Sequence, residues 1–366
     1  MKHPLAITLL LITAILTLSC NSTINTDSTP QHDDYKVVVR RARIVAAGDL
    51  MQHDEQVKAA QKPDSTFDYI PSFRHVADRF RAADLAIVNL ETTLSDSGPY
   101  SGYPTFRSPA AVADAMRDMG IDLAALANNH CCDRSASGIR STARILDRRG
   151  IARIGAYADS IDYKTNNIQY LYGGDLRFAF VNYTYGTNGI PVPRGMVVNH
   201  LDTLQMALDL KSIDREAVDC IVAIVHWGNE YERTPNREQR TLAEFMHRHG
   251  VDIIIGSHPH VIQAAELDER GRPTLYSLGN FVSNQRTRYR DGGLIATIDI
   301  EVIDSLHLNR RISRRANYSL RLDPVWVHLP DYAVIPTEVG DTMQMNADSR
   351  QRYNRFMTDT RYHLGL

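Results

Sequence analysis

Two histidines, His258 and His260, follow an apolar run of strand length and are separated only by Pro259. The run, residues 253–255, is β-branched and ends at Gly256, which is typical of a buried strand that reaches the edge of a sheet. In α/β proteins, ligands and metals collect in the loops that leave the carboxyl ends of such strands. The segment therefore predicts a metal-binding loop, with two unrelated histidines in a turn as the alternative.

Four more apolar runs end in residues that can bind a metal. Asp49 and His53 follow residues 44–47, Asn89 and Glu91 follow 85–88, Asn129, His130 and Asp133 follow 123–126, and His226 follows 221–225 with Glu230 beyond it. Near-continuous apolar runs are typical of parallel strands that are covered on both faces. Helical segments alternate with these runs, for example at 109–119 and 237–249, and this alternation favours an α/β sheet. We expect the strand ends to converge on one site.

The chemistry of this set indicates divalent metal binding. Imidazole and carboxylate ligands without thiolate suit manganese, iron or zinc. The set exceeds what one four-coordinate ion needs, whereas two ions sharing a bridging carboxylate would use most of it. Paired metals clamp a displacement at phosphorus or at an acyl carbon, which makes hydrolysis the expected type of reaction.

Composition narrows the class of protein. With 366 residues, of which 43% are hydrophobic and 23% charged, the chain can bury a core of enzyme size. Its formal net charge of −2 gives no electrostatic case for a nucleic-acid partner, which would require a basic face.

The amino-terminal sequence is typical of a targeting segment. The apolar run at 5–18 is too short to span a bilayer as a finished helix and ends just before Cys20. Residues 1–20 resemble a bacterial lipoprotein signal peptide, in which Cys20 would become the lipidated first residue; an ordinary secretory signal is the alternative. A polar stretch from Asn21 to about Asp34 follows, and residues 21–40 are expected to form a flexible tether. We expect a cell-envelope protein that is held to the membrane by lipid and lies outside the cytoplasm.

Three arginines alternate shortly after the segment S-L-G-N-F-V, at Arg286, Arg288 and Arg290. On an extended strand they would point the same way, towards an anionic substrate near the site. A solvated edge of the sheet explains the same pattern equally well.

Six motifs in order carry a resemblance to a known family: G-D-L-M-Q-H at 48–53, V-N-L-E-T at 88–92, A-N-N-H-C-C-D at 127–133, H-W-G-N-E-Y at 226–231, G-S-H-P-H-V at 256–261 and S-L-G-N-F at 277–281. Together they resemble the CapA (poly-γ-glutamate capsule synthesis) family, which belongs to the calcineurin-like metallophosphoesterase superfamily. The resemblance implies a four-layer α/β/β/α sandwich over residues 41–300. Residues 301–366 are expected to be an extension packing on the same domain.

The resemblance also implies roles for individual residues. The implied metal ligands are Asp49, Glu91, Asn129, His226, His258 and His260, and His130 is implied as a positioned acid or transition-state stabiliser. Two departures from the superfamily pattern stand out. His53 lies four positions after Asp49 rather than two, and Asn89 and Glu91 replace the segment that holds the bridging aspartate. We therefore keep His53, Asn89, Asp133 and Glu230 as further candidates for metal or substrate contact.

Two functions follow from the resemblance. The first is a metal-dependent hydrolase of a phosphoester or amide, acting on an anionic polymer or phosphoester during capsule, poly-γ-glutamate or other envelope polymer synthesis. The second is a non-catalytic member of a capsule synthesis or export complex with a structural metal site. His130 beside Asn129 favours the enzyme, and the missing bridging aspartate favours the scaffold.

Overall fold

A computed structural model describes residues 35–365. The expected signal peptide, Cys20 and most of the expected tether lie outside the described residues. The strands are β1 (Tyr35–Leu50), β2 (Leu85–Leu90), β3 (Leu94–Ser95), β4 (Ser108–Pro109), β5 (Leu123–Ala125), β6 (Ala152–Ile154), β7 (Ala156–Tyr157), β8 (Gln169–Gly173), β9 (Leu176–Thr184), β10 (Val197–Val198), β11 (Cys220–His226), β12 (Ile253–Ser257), β13 (Ala265–Leu267), β14 (Pro273–Leu275), β15 (Asn280–Val282), β16 (Gly292–His307), β17 (Arg310–Val327) and β18 (Val334–Pro336).

The helices alternate with the strands through much of the chain. They are α1 (Asp54–Ala60), α2 (Ile70–Phe73), α3 (Ala77–Arg81), α4 (Ala111–Met119), α5 (Ser135–Asp147), α6 (Ser160–Asn166), α7 (Thr203–Ser212), α8 (Arg237–Arg248), α9 (Thr337–Gly340) and α10 (Ala347–Leu364). Within residues 35–365, none of the helices is long and apolar enough to cross a membrane.

Two large sheets form the centre of the molecule. The first has the order β18-β17-β16-β1-β2-β5-β6, with β15 also paired to β1. The second has the order β13-β14-β12-β11-β9-β8. The neighbours β1, β2, β5 and β6 are parallel, as are β9, β11, β12 and β14. Parallel pairing explains the continuous apolar runs, because each of these strands is buried on both faces.

The alternation of side chains along the strands assigns the layers. Ile44 and Ile87 of the first sheet share one apolar cluster with Phe178 and Ile255 of the second, so the two sheets pack face to face. The opposite face of the first sheet packs against α2 to α5, and that of the second packs against α7 and α8. The predicted four-layer α/β/β/α sandwich is therefore confirmed.

The expected boundaries move at both ends of the domain. Residues 35–40 lie in β1 rather than in a tether, because they pair in register with β16. The boundary expected at residue 300 falls inside β16, which continues to His307 and pairs with β17. The last helix, α10, contributes Tyr353 and Phe356 to the cluster between the sheets. The carboxyl-terminal segment is thus built into the sandwich.

Candidate metal centre

The residues expected to bind metal lie at the carboxyl ends of strands from both sheets. Asp49 lies in β1, Glu91 follows β2, Asn129 and His130 follow β5, His226 ends β11, and His258 and His260 follow β12. All of these side chains are buried. Ligand atoms of Asp49, Glu91 and His260 lie within 4.8 Å of one another. The expected convergence of the strand ends therefore occurs, and it draws on both sheets.

Glu91 lies in the middle of the cluster. Its Oε1 atom is 3.8 Å from Nε2 of His226 and 3.8 Å from Nε2 of His260. Oε1 is buried and has no hydrogen-bond partner among the described residues. A buried carboxylate oxygen without a partner is costly, so its position between two imidazoles indicates a site suited to a cation.

One group of ligands lies on the His260 side of Glu91. Nδ1 of His260 is 3.1 Å from Oδ2 of Asp49. Asn89 donates its amide hydrogen to Oδ1 of Asp49 over 2.8 Å, and the same Nδ2 lies 3.4 Å from Oε2 of Glu91. Asn89 therefore orients the two carboxylates from its place on β2.

The second group lies on the His226 side. Nε2 of His226 is 3.0 Å from Oδ1 of Asn129, and Asn129 donates through Nδ2 to Oδ1 of Asn188 over 3.2 Å. The ring of His258 lies 4.8 Å from that of His226 and 4.4 Å from that of Tyr185, measured between centroids. Glu91 thus separates two clusters of nitrogen and oxygen ligands.

The loop after β12 holds its two histidines in an unusual backbone conformation. His258 has φ of 101° and His260 has φ of 58°, both in the left-handed region that side chains other than glycine rarely adopt. Nδ1 of His258 is buried without a partner among the described residues. Backbone strain of this kind persists where the surrounding structure enforces it, and it occurs often at ligand sites.

Burial sets the protonation of the cluster. Burial raises the pKa of the Glu91 carboxyl well above its usual range, and Asp49 raises it further. Burial lowers the pKa of His226 well below its usual range and that of His258 to about 4, and neighbouring histidines add to both shifts. Both imidazoles are therefore neutral at pH 7, which is the form that binds metal.

The donor set fits divalent metal. Buried carboxylates, neutral imidazoles and an amide oxygen suit manganese, iron or zinc. A cation would favour the ionised form of Glu91 and would give partners to Oε1 of Glu91 and Nδ1 of His258. Asp49, Glu91 and His260 would hold one ion, and Glu91, Asn129, His226 and His258 would hold a second. The identity and number of ions stay predictions.

His130 is bound to a carboxylate rather than grouped with the metal ligands. Its Nδ1 lies 2.8 Å from Oδ2 of Asp133, and the same oxygen accepts the backbone N–H of Phe106 over 2.6 Å. The Phe106 ring packs edge-on against His130 with 4.6 Å between centroids. Asp133, expected as a possible metal or substrate ligand, therefore contacts His130 and fixes its ring.

The remaining candidates lie around the cluster. His53 caps α1, its Nδ1 accepts the backbone N–H of Asn284 over 3.2 Å, and burial lowers its pKa to about 4. Glu230 is exposed beside His258, on the wall of a pocket that also contains Tyr185 and Trp227. His53 is thus largely buried next to the cluster, and Glu230 is exposed at the edge of the cluster.

Several contacts around the site come from residues that the sequence pattern did not single out. Asn128 donates to the backbone oxygen of Leu90 over 2.8 Å and accepts the backbone N–H of His130, so it ties the loop after β5 to β2. Tyr185 and Asn188 follow β9, whose end carries no histidine or carboxylate. The repeated asparagine at 128–129 was the one available signal.

The three alternating arginines have different surroundings. Arg288 forms a bidentate ion pair with Asp359, with N–O distances of 2.9 and 2.8 Å. Arg286 packs against Trp326 and donates to a backbone oxygen. The guanidinium of Arg290 lies 3.5 Å over the ring of Tyr231, and that ring lies 6.1 Å from the ring of His260 between centroids. The three arginine side chains therefore do not lie on one shared surface.

Comparison with known proteins gives the family. A family model described as bacterial capsule synthesis protein PGA_cap matches residues 43–285. The capsule biosynthesis protein CapA of Bacillus anthracis is 30% identical over 239 residues, which cover 62% of this chain and 57% of that protein. The PGA biosynthesis protein CapA of Bacillus subtilis (strain 168) is 29% identical over 274 residues, covering 73% and 70%. This chain thus spans little more than half the length of the first of these relatives.

Among solved structures, a calcineurin-like phosphoesterase from Bacillus subtilis matches with a TM-score of 0.44 and 11% sequence identity. The match covers 90% of this chain and all of that one. On the strength of the family model, the chain belongs to the PGA_cap family of bacterial capsule synthesis proteins.

Proposed function

We propose that this member of the PGA_cap family is a metal-dependent hydrolase that acts on an anionic polymer or a phosphoester during capsule or poly-γ-glutamate synthesis. We further propose that it works outside the cytoplasm, lipid-anchored through Cys20. The observation that carries the enzymatic proposal is the juxtaposition of two features: an unpartnered Glu91 oxygen between His226 and His260, and a histidine held by a carboxylate beside them.

The residues have separate tasks in this reaction. Bound divalent metal would supply Lewis-acid polarisation of the scissile group. The metal ion would be held in place by Asp49, Glu91 and the three ligand histidines. His130 has one nitrogen occupied by Asp133, so its other nitrogen is available to hold or move a proton at the substrate. The buried walls exclude water and strengthen these electrostatic contacts.

A scaffold function is the second candidate, and Asn89 is the observation that favours it. The Asn89 amide contacts Asp49, Glu91 and His226 at once, at 2.8, 3.4 and 3.3 Å. A neutral donor at the centre of the ligand set can hold the carboxylates together without catalysis. In this case the protein would be a non-catalytic part of a capsule synthesis assembly.

One experiment separates these candidates. The purified mature protein would be loaded with Mn²⁺, Fe²⁺ or Zn²⁺ and assayed against bis-p-nitrophenyl phosphate and a γ-linked glutamate oligomer. Turnover that depends on metal and is lost in His130→Ala supports the hydrolase. Stoichiometric metal without turnover on either substrate supports the scaffold.

A further inference from the structure

A basic groove of about 460 Å³ lies between α5 and the segment around β3. Its charged lining residues are Arg107, Arg134, Arg140 and Arg144, with Asp96 as the one acidic residue among them. Hydroxyl groups of serine and threonine side chains complete the walls. Four guanidinium groups against one carboxylate give the groove an excess of positive charge, which favours anions.

The groove face of α5 follows helical spacing. Ser137, Arg140, Ser141 and Arg144 recur at intervals of three and four residues and thus lie on one side of the helix. Gly138 lets α5 approach the segment just before β3 closely, because a Cβ at this position would lie 3.0 Å from Cγ2 of Thr93. The arginines are therefore held along a fixed wall.

The positive charge of this groove is only partly balanced. Asp96 accepts from Arg144 over 3.1 Å, but it also accepts from Arg148 over 2.7 Å, so one carboxylate serves two arginines. Arg107 donates to the hydroxyl of Ser95 over 3.0 Å. Within the described part of the chain, the side chain of Arg140 makes neither an ion pair nor a hydrogen bond. Like charges held together in this way raise the affinity for anions.

Two of the arginines that line the groove belong to the segments that hold His130. Arg107 follows Phe106, whose backbone N–H binds Asp133 and whose ring packs on His130. Arg134 follows Asp133 and donates to the backbone oxygen of Thr105 over 2.6 Å. Arg107 and Arg134 are each one residue from a residue that contacts His130, and consecutive Cα atoms are about 3.8 Å apart. The groove therefore begins close to the hydrogen-bonded pair of His130 and Asp133.

We propose that this groove binds a segment of an anionic polymer next to His130, through the carboxylates that a γ-linked glutamate chain carries on every residue. The proposal rests on the proposed function, in that the chain bound here would continue to the metal centre. Arg140 and Arg144 are one helical turn apart, with about 5–6 Å between Cβ atoms. Charges distributed over this length suit repeated carboxylates better than one small anion.

The test measures binding of a γ-linked glutamate decamer to the full mature protein by isothermal titration calorimetry. Arg140→Glu should weaken binding roughly tenfold, because an attractive contact is replaced by a repulsive one. The matched control is Arg315→Glu, which makes the same charge change at an exposed arginine of β17. Equal affinities for the two variants would overturn the proposal. Binding to wild type should also weaken as salt rises.

Two further measurements keep this proposal apart from the proposed function. Turnover of bis-p-nitrophenyl phosphate, which is too small to span the groove, should be unchanged in Arg140→Glu. If the protein binds the decamer through Arg140 but turns over no substrate, the hydrolase is wrong and the groove stands. A polyphosphate of equal charge serves as the second ligand; tighter binding of polyphosphate, still dependent on Arg140, would overturn the assignment to carboxylates.

Discussion

Nδ1 of His130 lies 2.8 Å from Oδ2 of Asp133, three residues further along the chain. The same carboxylate oxygen accepts the backbone N–H of Phe106, and the backbone N–H of His130 donates to Asn128. With a carboxylate at Nδ1, the proton of a neutral ring is assigned to that nitrogen. Nε2 of His130 is therefore the atom available for proton transfer.

The first prediction concerns His130 itself. His130→Ala should lower the metal-dependent turnover rate by about 10²–10⁴-fold, because a positioned proton donor or acceptor is lost. The metal content should stay at the wild-type value, since the proposed metal ligands are Asp49, Glu91, Asn129 and three other histidines. The measurement pairs steady-state kinetics with elemental analysis. A variant with full rate would refute the catalytic role.

The second prediction treats Asp133 as a positioning residue. Asp133→Asn should reduce kcat by about 10–100-fold, the usual effect of losing a hydrogen-bonded partner behind a functional histidine. It should also shift the pH–rate profile, because the negative charge beside His130 is gone. A purely structural role predicts lower stability with an unchanged profile. The thermal midpoint, measured alongside the kinetics, distinguishes these outcomes.

The positions of the ligands were predictable because they follow a local rule. Apolar runs mark buried parallel strands, and polar residues placed directly after them must lie at the carboxyl edge of a sheet. This rule predicts that Asp49, Glu91, His226 and His260 lie close together. It does not predict that they come from two sheets, because the sequence of a strand does not specify which strands it pairs with.

Contacts that depend on distant segments could not be read from the sequence. Asn188 accepts a hydrogen bond from Asn129, which lies 59 residues earlier in the chain. Tyr185, which packs on His258, follows a strand that ends without a histidine or a carboxylate. The contact between Asp133 and His130 could not be predicted for a different reason. The residue type suits both a metal ligand and a partner of histidine, and only the ring orientation of His130 decides between them.

The third prediction tests the close approach of the strands beside Asp49. A Cβ on Gly48 would lie 2.0 Å from the backbone oxygen of Gly279, so Gly48→Ala must push β15 away from β1. We expect a loss of roughly 1–3 kcal/mol in the free energy of unfolding, as for other overpacked sites. Urea denaturation measures this loss. Gly186→Ala is the control, because no heavy atom lies within 4 Å of its Cβ position; equal midpoints for both variants would contradict the argument.

The fourth prediction concerns the proposed lipid anchor at Cys20, which lies outside the described residues. Cys20→Ser should block lipid attachment and leave an uncleaved precursor, because the thiol is the site of modification in the proposed lipoprotein signal. Mass spectrometry of the purified protein reads both changes. A wild-type protein that is cleaved but carries no lipid would indicate an ordinary secretory signal, and acyl chains on the variant would show that Cys20 is not the site of lipid attachment.

The fifth prediction is that His258 is required for metal binding. Its buried Nδ1 has no partner among the described residues, and its backbone is held at φ of 101°, so the surrounding structure presents this imidazole to the cluster. His258→Ala should lower the metal content of the purified protein and abolish its stabilisation by added Mn²⁺ or Zn²⁺. Ligand present at about 100 times its Kd stabilises a protein by about 2.7 kcal/mol, so the wild-type thermal midpoint should fall on treatment with a chelator.

His249→Ala, which removes an exposed histidine after α8, should keep both the metal and the chelator response. If His258→Ala retains the wild-type metal content and the same fall in midpoint, His258 does not bind the metal.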